Sequence, residues 1–274
     1  MTPSYHQNVT VITGASSGIG EALAYELAGQ GAWLALAARR LDQLEAVAAK
    51  CRSLGGRAIA VECDVTQQAD CERLIQGTVT EYARVDTLVN NAGITMWSRF
   101  ASLKDPALIN QIMQVNFLGA VYCTYYALPH LKQSRGRIAN ISSMADKIIT
   151  PGSTGYVASK HAMEAFYESL RAEVADDGVS ITMLYLGFVD TGFAGRMLGA
   201  DGKPSGGISR RLEGTQQMTP ADSARLIAAT TFARRRTVYT SVAGLPGWLF
   251  PWLKVLAPNL LERVGKRFMD EGDL

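Results

Sequence analysis

Disulfide spacing, a charge imbalance and a long apolar run are all missing from this chain, and each absence narrows what it can be. The four cysteines, Cys51, Cys63, Cys71 and Cys123, stand far apart, with no CxxC pair and no metal-ligand spacing. Reduced, mostly buried thiols in a cytoplasmic protein fit this pattern better than a disulfide frame, and no metal site is expected. The net charge is only +2, so no global field selects nucleic acid or an anionic membrane as main partner. Arg234-Arg235-Arg236 reads as a cationic helix end, suited to the helix dipole, rather than as a nucleic-acid contact. The opening MTPSYHQNVTVITG lacks the basic and apolar regions of a secretory signal. No apolar run reaches the ~18 residues of a membrane span. Val242 to Pro258 comes nearest and is broken by Pro246, Pro251 and Lys254.

What is present is an alternation of short β-branched runs with longer helical ones. The 274 residues, 47% hydrophobic and 19% charged, suffice for one well-buried domain. Strands are expected at Val9–Thr13, Trp33–Arg39, Arg57–Val65, Asp86–Gly93, Gly136–Ser143, Val179–Leu186 and Arg236–Ser241. Helices are expected between them, including a long one from Pro106 to about Leu131 with a kink or early stop at Pro129. Such alternation is the mark of βαβ units. The expected fold is a doubly wound α/β domain with a seven-stranded, mostly parallel sheet and helices on both faces. Residues 8–240 make its core, 187–217 a long mobile insertion, and 241–274 a C-terminal extension, all within one dinucleotide-binding and catalytic domain, 1–274.

The first strand runs into a Gly-rich turn, TGASSGIG, comprising Thr13, Gly14, Ser16, Ser17, Gly18, Ile19 and Gly20. Glycines let the backbone approach a pyrophosphate, which then meets the N–H groups and positive end of a helix. The GxxxGxG spacing departs from GxGxxG, but the physics is shared. At the end of the second strand, NAD-binding folds commonly carry an acid that takes the ribose hydroxyls. Here Arg39 and Arg40 stand instead, so a 2′-phosphate is bound rather than repelled, and NADP(H) is expected over NAD(H). Asp64 and Val65 end the third strand, where a carboxylate can accept from an adenine amine. Asn91, Ala92 and Gly93 end the fourth, at the sheet edge where ligands sit in such folds.

YVASK then puts Tyr156 and Lys160 one helical turn apart on one face, and Ser143 precedes Tyr156 by thirteen residues. With TGxxxGxG, NNAG, this serine and YxxxK in order, the chain resembles the short-chain dehydrogenase/reductase family over roughly residues 8–240. The resemblance implies a Rossmann fold and an oxidoreductase that interconverts a carbonyl and an alcohol. It implies a tetrad of Asn116, Ser143, Tyr156 and Lys160, with Tyr156 as the general acid/base. A phenol has a pKa near ~10, so a phenolate at neutrality needs it lowered by a few units at about 1.4 kcal/mol each. The charge of Lys160, with that of an oxidised nicotinamide, acts in that direction. Ser143 would stabilise the substrate oxygen. Asn116 would hold water leading to Lys160, and Lys160 would also meet the nicotinamide ribose. Gly187, Val189 and Thr191 match positions beside the nicotinamide and the phosphates. Leu186 stands where the family usually has proline, which leaves the loop path open. Asp146 replaces a common glycine, either at the substrate mouth or in a solvated loop. His161, about 100° round the helix from Lys160, is expected on an outer or interface face.

Trp97, Met96, Ile148, Ile149 and Phe193 would make a mostly apolar substrate wall, which suits a small hydrophobic ketone, aldehyde or alcohol. A 3-oxoacyl carrier-protein reductase, which shares these motifs, and a non-catalytic NADP(H)-binding regulator are the alternatives. The family implies a homodimer or homotetramer through the helices at 106–131 and 155–175. In the tail, Trp248, Phe250, Trp252 and Leu253 cluster before Pro258, and Leu260, Leu261, Val264 and Phe268 fall near one helical face. Packing over the cleft or in an interface is the favoured reading. Docking at a membrane surface, through these aromatics beside Lys254, Arg263, Lys266 and Arg267, is the other.

Overall fold

The computed structural model describes residues 4–205, 217–242 and 244–270, the side chains of 268–270 excepted. Strands β1 (Val9–Thr13), β2 (Trp33–Ala38), β3 (Arg57–Glu62), β4 (Thr87–Asn90), β5 (Arg137–Ser143), β6 (Ser180–Leu186) and β7 (Thr237–Tyr239) form one sheet. Their order is β3-β2-β1-β4-β5-β6-β7, and every pairing is parallel. A parallel sheet must be covered on both faces, which is why β1 and β4 are buried along their whole length.

On one face lie α1 (Gly18–Gly29), α2 (Leu41–Ser53) and α7 (Pro220–Phe232), whose Leu23, Leu27, Leu44, Val47 and Ile227 pack on Ile12 and Leu34. Thr219 caps α7, its hydroxyl accepting from Asp222 N at 3.0 Å, with Pro220 as the first helical residue. On the other face lie α3 (Gln68–Tyr82), α5 (Gly119–Ser134) and α6 (Thr154–Glu173), with Leu74, Cys123 and Tyr167 against Val11 and Leu88.

The helix expected over 106–131 is different in kind. Helix α4 (Ala107–Met113) passes through a π-helical turn, Gln114–Leu118, into α5, which runs past Pro129 to Ser134. Pro129 is exposed, so the carbonyl it leaves without a donor faces water and the helix need not stop. The insertion is more ordered than expected in its described part. Met96 bridges Leu198 and Val189 bridges Met218, two isolated bridges that tie the segment to the loop after β4 and to the approach to α7, while Leu198 bridges Pro204 within it. Residues 206–216 of that insertion lie outside the described residues. The strand order reverses between β1 and β4, which opens the crevice beyond the carboxyl ends of the sheet.

The tail forms α8 (Leu249–Leu256) and α9 (Pro258–Asp270). Phe250 and Leu261 are buried in the core on the side of α3, α5 and α6. At Gly265 a Cβ would fall 2.5 Å from the Ile149 carbonyl oxygen and 3.1 Å from Pro151, so α9 rests directly on the 149–151 loop. No helix among the described residues is long and apolar enough to cross a membrane.

Candidate active site

The first turn is a backbone cradle made by glycine. Gly14 and Gly18 have φ of +65° and +64°, the left-handed region. A Cβ on Gly14 would lie 2.9 Å from Ala92 Cα, and one on Gly20 only 2.5 Å from Gly14 O and 2.6 Å from Asn91 Nδ2. A Cβ on Gly18 would lie 3.0 Å from Thr191 Cβ, so the loop after β6 closes over the start of α1. Asn91 and Thr13 tie the two central loops together. The Asn91 amide donates to Thr13 O at 2.9 Å and Gly14 O at 3.2 Å, while Asn91 N and Ala92 N donate to the Thr13 hydroxyl at 3.0 and 3.1 Å. Ile19 and Val189 pack on the core beneath.

At the tip of β2, Arg39 and Arg40 are exposed, and Arg40 Nη2 reaches Ser16 Oγ at 3.3 Å and Ser17 Oγ at 3.5 Å. Asp64 Oδ1 accepts from the Thr66 N–H at 3.0 Å and its hydroxyl at 2.9 Å. Val65 is pressed against Gly119, where a Cβ would come within 2.7 Å of it. A pyrophosphate fits this cradle. The contacts at Gly14 and Gly20 leave no room for side chains, and no side chain caps the first turn of α1, so its N–H groups can serve an anion.

The four tetrad residues come from three elements. Ser143 ends β5; its hydroxyl accepts from Ala145 N at 3.1 Å and lies close enough to the Tyr156 hydroxyl to favour its ionisation. Lys160 Nζ lies 5.7 Å from the centre of the Tyr156 ring and donates to Ile141 O at 2.8 Å. Asn116 sits in the π-helical turn, where the extra residue lets its side chain bond across to the loop after β4. Its amide donates to Ile94 O and Ser159 Oγ, both at 2.9 Å, and its oxygen accepts from Ile94 N at 2.8 Å. Ser159 in turn donates to Tyr156 O at 2.7 Å. A Cβ on Gly93 would stand 3.4 Å from Asn116 Oδ1 and 3.9 Å from Lys160 Nζ, so these three residues converge.

Burial dominates the titration of this group within the chain. It pushes the Tyr156 phenol up to about 12, helped by the charge of Asp146 and opposed by the nearby Ser143 hydroxyl. The same burial brings the Lys160 ammonium down to about 8, with Asp146 acting against it. The Lys160 ammonium is directed to a backbone carbonyl, so desolvation outweighs any pull it exerts on the phenol.

Three further placements correct the sequence reading. Asp146 is wholly buried, neither at an open mouth nor in solvent. Ser142 Oγ donates to its Oδ2 at 3.1 Å, and Oδ1 has no hydrogen bond but lies 3.5 Å from Lys147 Nζ. Lys147 contacts Glu164, which also accepts from Tyr185 Oη at 2.7 Å. His161 is covered rather than outward. Lys254 Nζ of α8 donates to His161 Nε2 and to Asp146 O, both at 3.0 Å, so the His161 Nδ1 proton goes to Val157 O at 3.0 Å. Met96 and Trp97 are buried, Met96 among Leu108, Ile112 and Tyr156 and Trp97 on Met197, while Ile148 and Ile149 pack half-buried against the core that receives Phe250 and Leu261. Of the expected wall, Phe193, Ile148 and Ile149 are half-buried, the two isoleucines lining a cavity with Val157 and His161, and Phe188 joins them at 43% exposure. Gly187 N donates to Thr240 Oγ1 at 2.7 Å, which guides the chain after buried Leu186 without proline.

A buried network supports the site and is invisible to motif reading. Asn90 Nδ2 meets Asn140 Oδ1 and Tyr167 Oη at 2.9 Å and Thr124 Oγ1 at 3.2 Å, and Tyr167 donates to Ala120 O. It locks the ends of β4 and β5 to α5 and α6.

Burial pushes the Asp146 carboxyl from 3.8 up to about 6, against the pull of Lys147. The folded chain therefore holds this proton more tightly than the unfolded chain. Its ionisation lowers stability progressively between about pH 4 and 6, and the full penalty stands above that window. Asp146→Asn is expected to raise unfolding stability by about 1–3 kcal/mol at pH 7.5 and to change it little at pH 4. Urea titrations at the two pH values check this. Equal effects at both would contradict the burial argument.

Comparison with known proteins agrees with this architecture. Residues 8–199 match the family model described as short chain dehydrogenase. The chain is similar to 11-beta-hydroxysteroid dehydrogenase-like 4A of Arabidopsis thaliana, 38% identical over 265 residues, covering 94% of this chain and 84% of that relative. It is 37% identical over 265 residues to 11-beta-hydroxysteroid dehydrogenase A of Sesamum indicum, covering 93% of this chain and 74% of that relative. Among solved structures it resembles an alcohol dehydrogenase from the archaeon Thermococcus sibiricus complexed with 5-hydroxy-NADP. The TM-score is 0.72 with 29% identity, over 84% of this chain and 93% of that one. A dehydrogenase/reductase of Sinorhizobium meliloti gives a TM-score of 0.75 and 27% identity, over 86% and 95%.

Proposed function

The chain belongs to the short-chain dehydrogenase family, and on that premise we propose that it is an NADP(H)-dependent enzyme interconverting a hydrophobic ketone or aldehyde and its alcohol. That it is an oxidoreductase acting on CH–OH groups follows from the family. The finer reading rests above all on the convergence of Ser143, Tyr156 and Lys160 at the sheet's carboxyl edge beside the glycine cradle.

The residues that would hold the dinucleotide are Gly14 to Gly20 at the pyrophosphate, Asp64 and Val65 toward the adenine, and Asn91 to Gly93, Gly187, Val189 and Thr191 toward the nicotinamide half. When bound, the dinucleotide supplies or takes up a hydride at the carbonyl or carbinol carbon. The chain's own part is the proton. With its phenol at about 12, Tyr156 is protonated at neutral pH, the form that delivers a proton to a carbonyl oxygen. Ser143 hydrogen-bonds that oxygen where charge develops. Lys160 orients the site from below, and Asn116 holds the Ile94 loop against the helix that carries Tyr156.

NADP(H) over NAD(H) is supported by two guanidinium groups and no carboxylate at the tip of β2, with Arg40 reaching the Ser16 and Ser17 hydroxyls. The hydrophobic substrate is supported by Phe188 and Phe193 on the loop after β6 and by the hydroxysteroid dehydrogenase names of the relatives. The test is a screen of oxo-steroids, aryl ketones, fatty-chain ketones, acyl thioesters and small charged carbonyls, with NADPH and then NADH. Turnover confined to apolar ketones, with NADPH favoured about tenfold or more, is expected. Turnover of small charged carbonyls alone, or equal use of NADH, would overturn the reading.

A further inference from the structure

Helix α8 is apolar on both sides. Phe250 and Leu253 pack inward, and its one charged residue, Lys254, is also turned inward to Asp146 O and His161. The solvent side therefore carries Trp248, just before the helix, with Trp252, Val255 and Leu256, exposed by 60, 63, 76 and 77%. Helices apolar all round are normally covered by something. Helix α9 follows directly after Ala257 and adds exposed apolar side chains of its own. Leu261 and Gly265 meet the protein, while Leu260 and Val264 beside them are exposed by 54 and 57%. At 100° per residue, Arg263 and Arg267 border those two on the far side, and both are exposed. Six outward apolar side chains are thus gathered in one 17-residue stretch, Trp248 to Val264, with a cationic margin.

We propose that this face docks on the surface of a lipid bilayer carrying anionic head groups, with α8 and α9 lying in the interface plane. Two exposed tryptophans suit the head-group level, where an amphipathic ring has one apolar and one wet end. The arginine margin suits anionic lipid. A second copy of the chain is the competing occupant and fits less well. A two-fold contact would bury the same patch of both copies, and among the described residues no acidic side chain of the patch stands ready to pair with its Arg263 and Arg267 margin. Packing over the cleft or in an oligomer interface is the preference drawn from sequence; Phe250 and Leu253 do pack on the core, but the chain itself leaves Trp248 and Trp252 uncovered. Docking is independent of the assigned reaction, and a failure of either leaves the other standing.

Flotation of the full-length protein with vesicles tests it, using phosphatidylcholine alone and phosphatidylcholine mixed with phosphatidylglycerol. The protein is expected to float with the mixed vesicles and less with the neutral ones. Trp252→Glu with Leu256→Glu should reduce that binding by about tenfold or more, since both positions face outward and the buried packing is untouched. Arg263→Glu with Arg267→Glu, which leaves the apolar face intact, should abolish the advantage of anionic vesicles. An unchanged thermal midpoint for each pair assigns the loss to the surface. Recovery of the wild type in the soluble fraction with both vesicles would overturn the proposal. So would unaltered flotation of the Trp252→Glu, Leu256→Glu protein accompanied by its dissociation to monomer in sedimentation, which would make this face a contact between copies.

Discussion

Tyr156→Phe is expected to lower kcat/KM for NADPH-dependent ketone reduction by about 10³-fold while NADPH affinity changes by less than about threefold. The substitution keeps the ring, its packing beside Met96 and its place above Lys160, and removes one hydroxyl. General acid catalysis contributes on the order of 10² to 10⁴ in rate, and water can replace only part of it. Ser143 keeps its bond from Ala145 N, and Lys160 its bond to Ile141 O, so the remaining geometry survives. Loss of at most one buried hydrogen bond should alter stability by only about 1 kcal/mol, too little to explain inactivity by unfolding. Stopped-flow binding of NADPH alongside steady-state turnover separates the two. A variant that binds NADPH and still reduces ketones at the wild-type rate removes Tyr156 from the chemistry.

The second large effect is expected at Gly20. A methyl group there would meet Gly14 O at 2.5 Å and Asn91 Nδ2 at 2.6 Å, distances that real Cβ atoms do not adopt. Gly14 O is backbone and cannot swing aside, and Asn91 is held by Thr13 O, so the turn itself must open. Gly20→Ala is therefore expected to weaken NADPH binding by about thirtyfold or more, because the N–H groups of α1 leave their alignment. Gly77 provides the contrast. It lies within α3 with nothing within 4 Å of its Cβ position, so Gly77→Ala should leave binding unchanged and stabilise the protein by about 0.5–1 kcal/mol. Fluorescence titration with NADPH on both variants reads the difference. Equal affinities would mean that the β1–α1 turn is not the dinucleotide site.

What could be read from the sequence is what local spacing determines. VTVIT, the glycine turn and YVASK each hold their chemistry within a few residues, so the strand, cradle and helix face followed from period and sterics. The parallel sheet followed from the alternation of such segments. Contacts between distant parts of the chain could not be read this way. Lys254 lies 93 residues from the His161 it caps and 108 from the Asp146 carbonyl. No spacing rule shows that a lysine amid tryptophans turns inward and leaves the tryptophans outside. Asn90, Asn140, Thr124 and Tyr167 likewise meet only after four elements have packed. Asp146 read as a residue of either the substrate mouth or a solvated loop because burial is a property of the whole fold, and the upward shift of Tyr156 has the same origin. The π-helical turn at Asn116 left no mark because helix period alone does not register one extra residue.

The central claim is hydride transfer to a hydrophobic carbonyl with the proton supplied at Tyr156. The most direct measurement extends the ketone screen with NADPH deuterated at nicotinamide C4, the product alcohol being analysed by mass spectrometry for the wild type and Tyr156→Phe. The account predicts one deuterium at the carbinol carbon of the wild-type product and almost no product from the variant. Alcohol formed without deuterium from either face of labelled NADPH, or formed equally by both proteins, would contradict it.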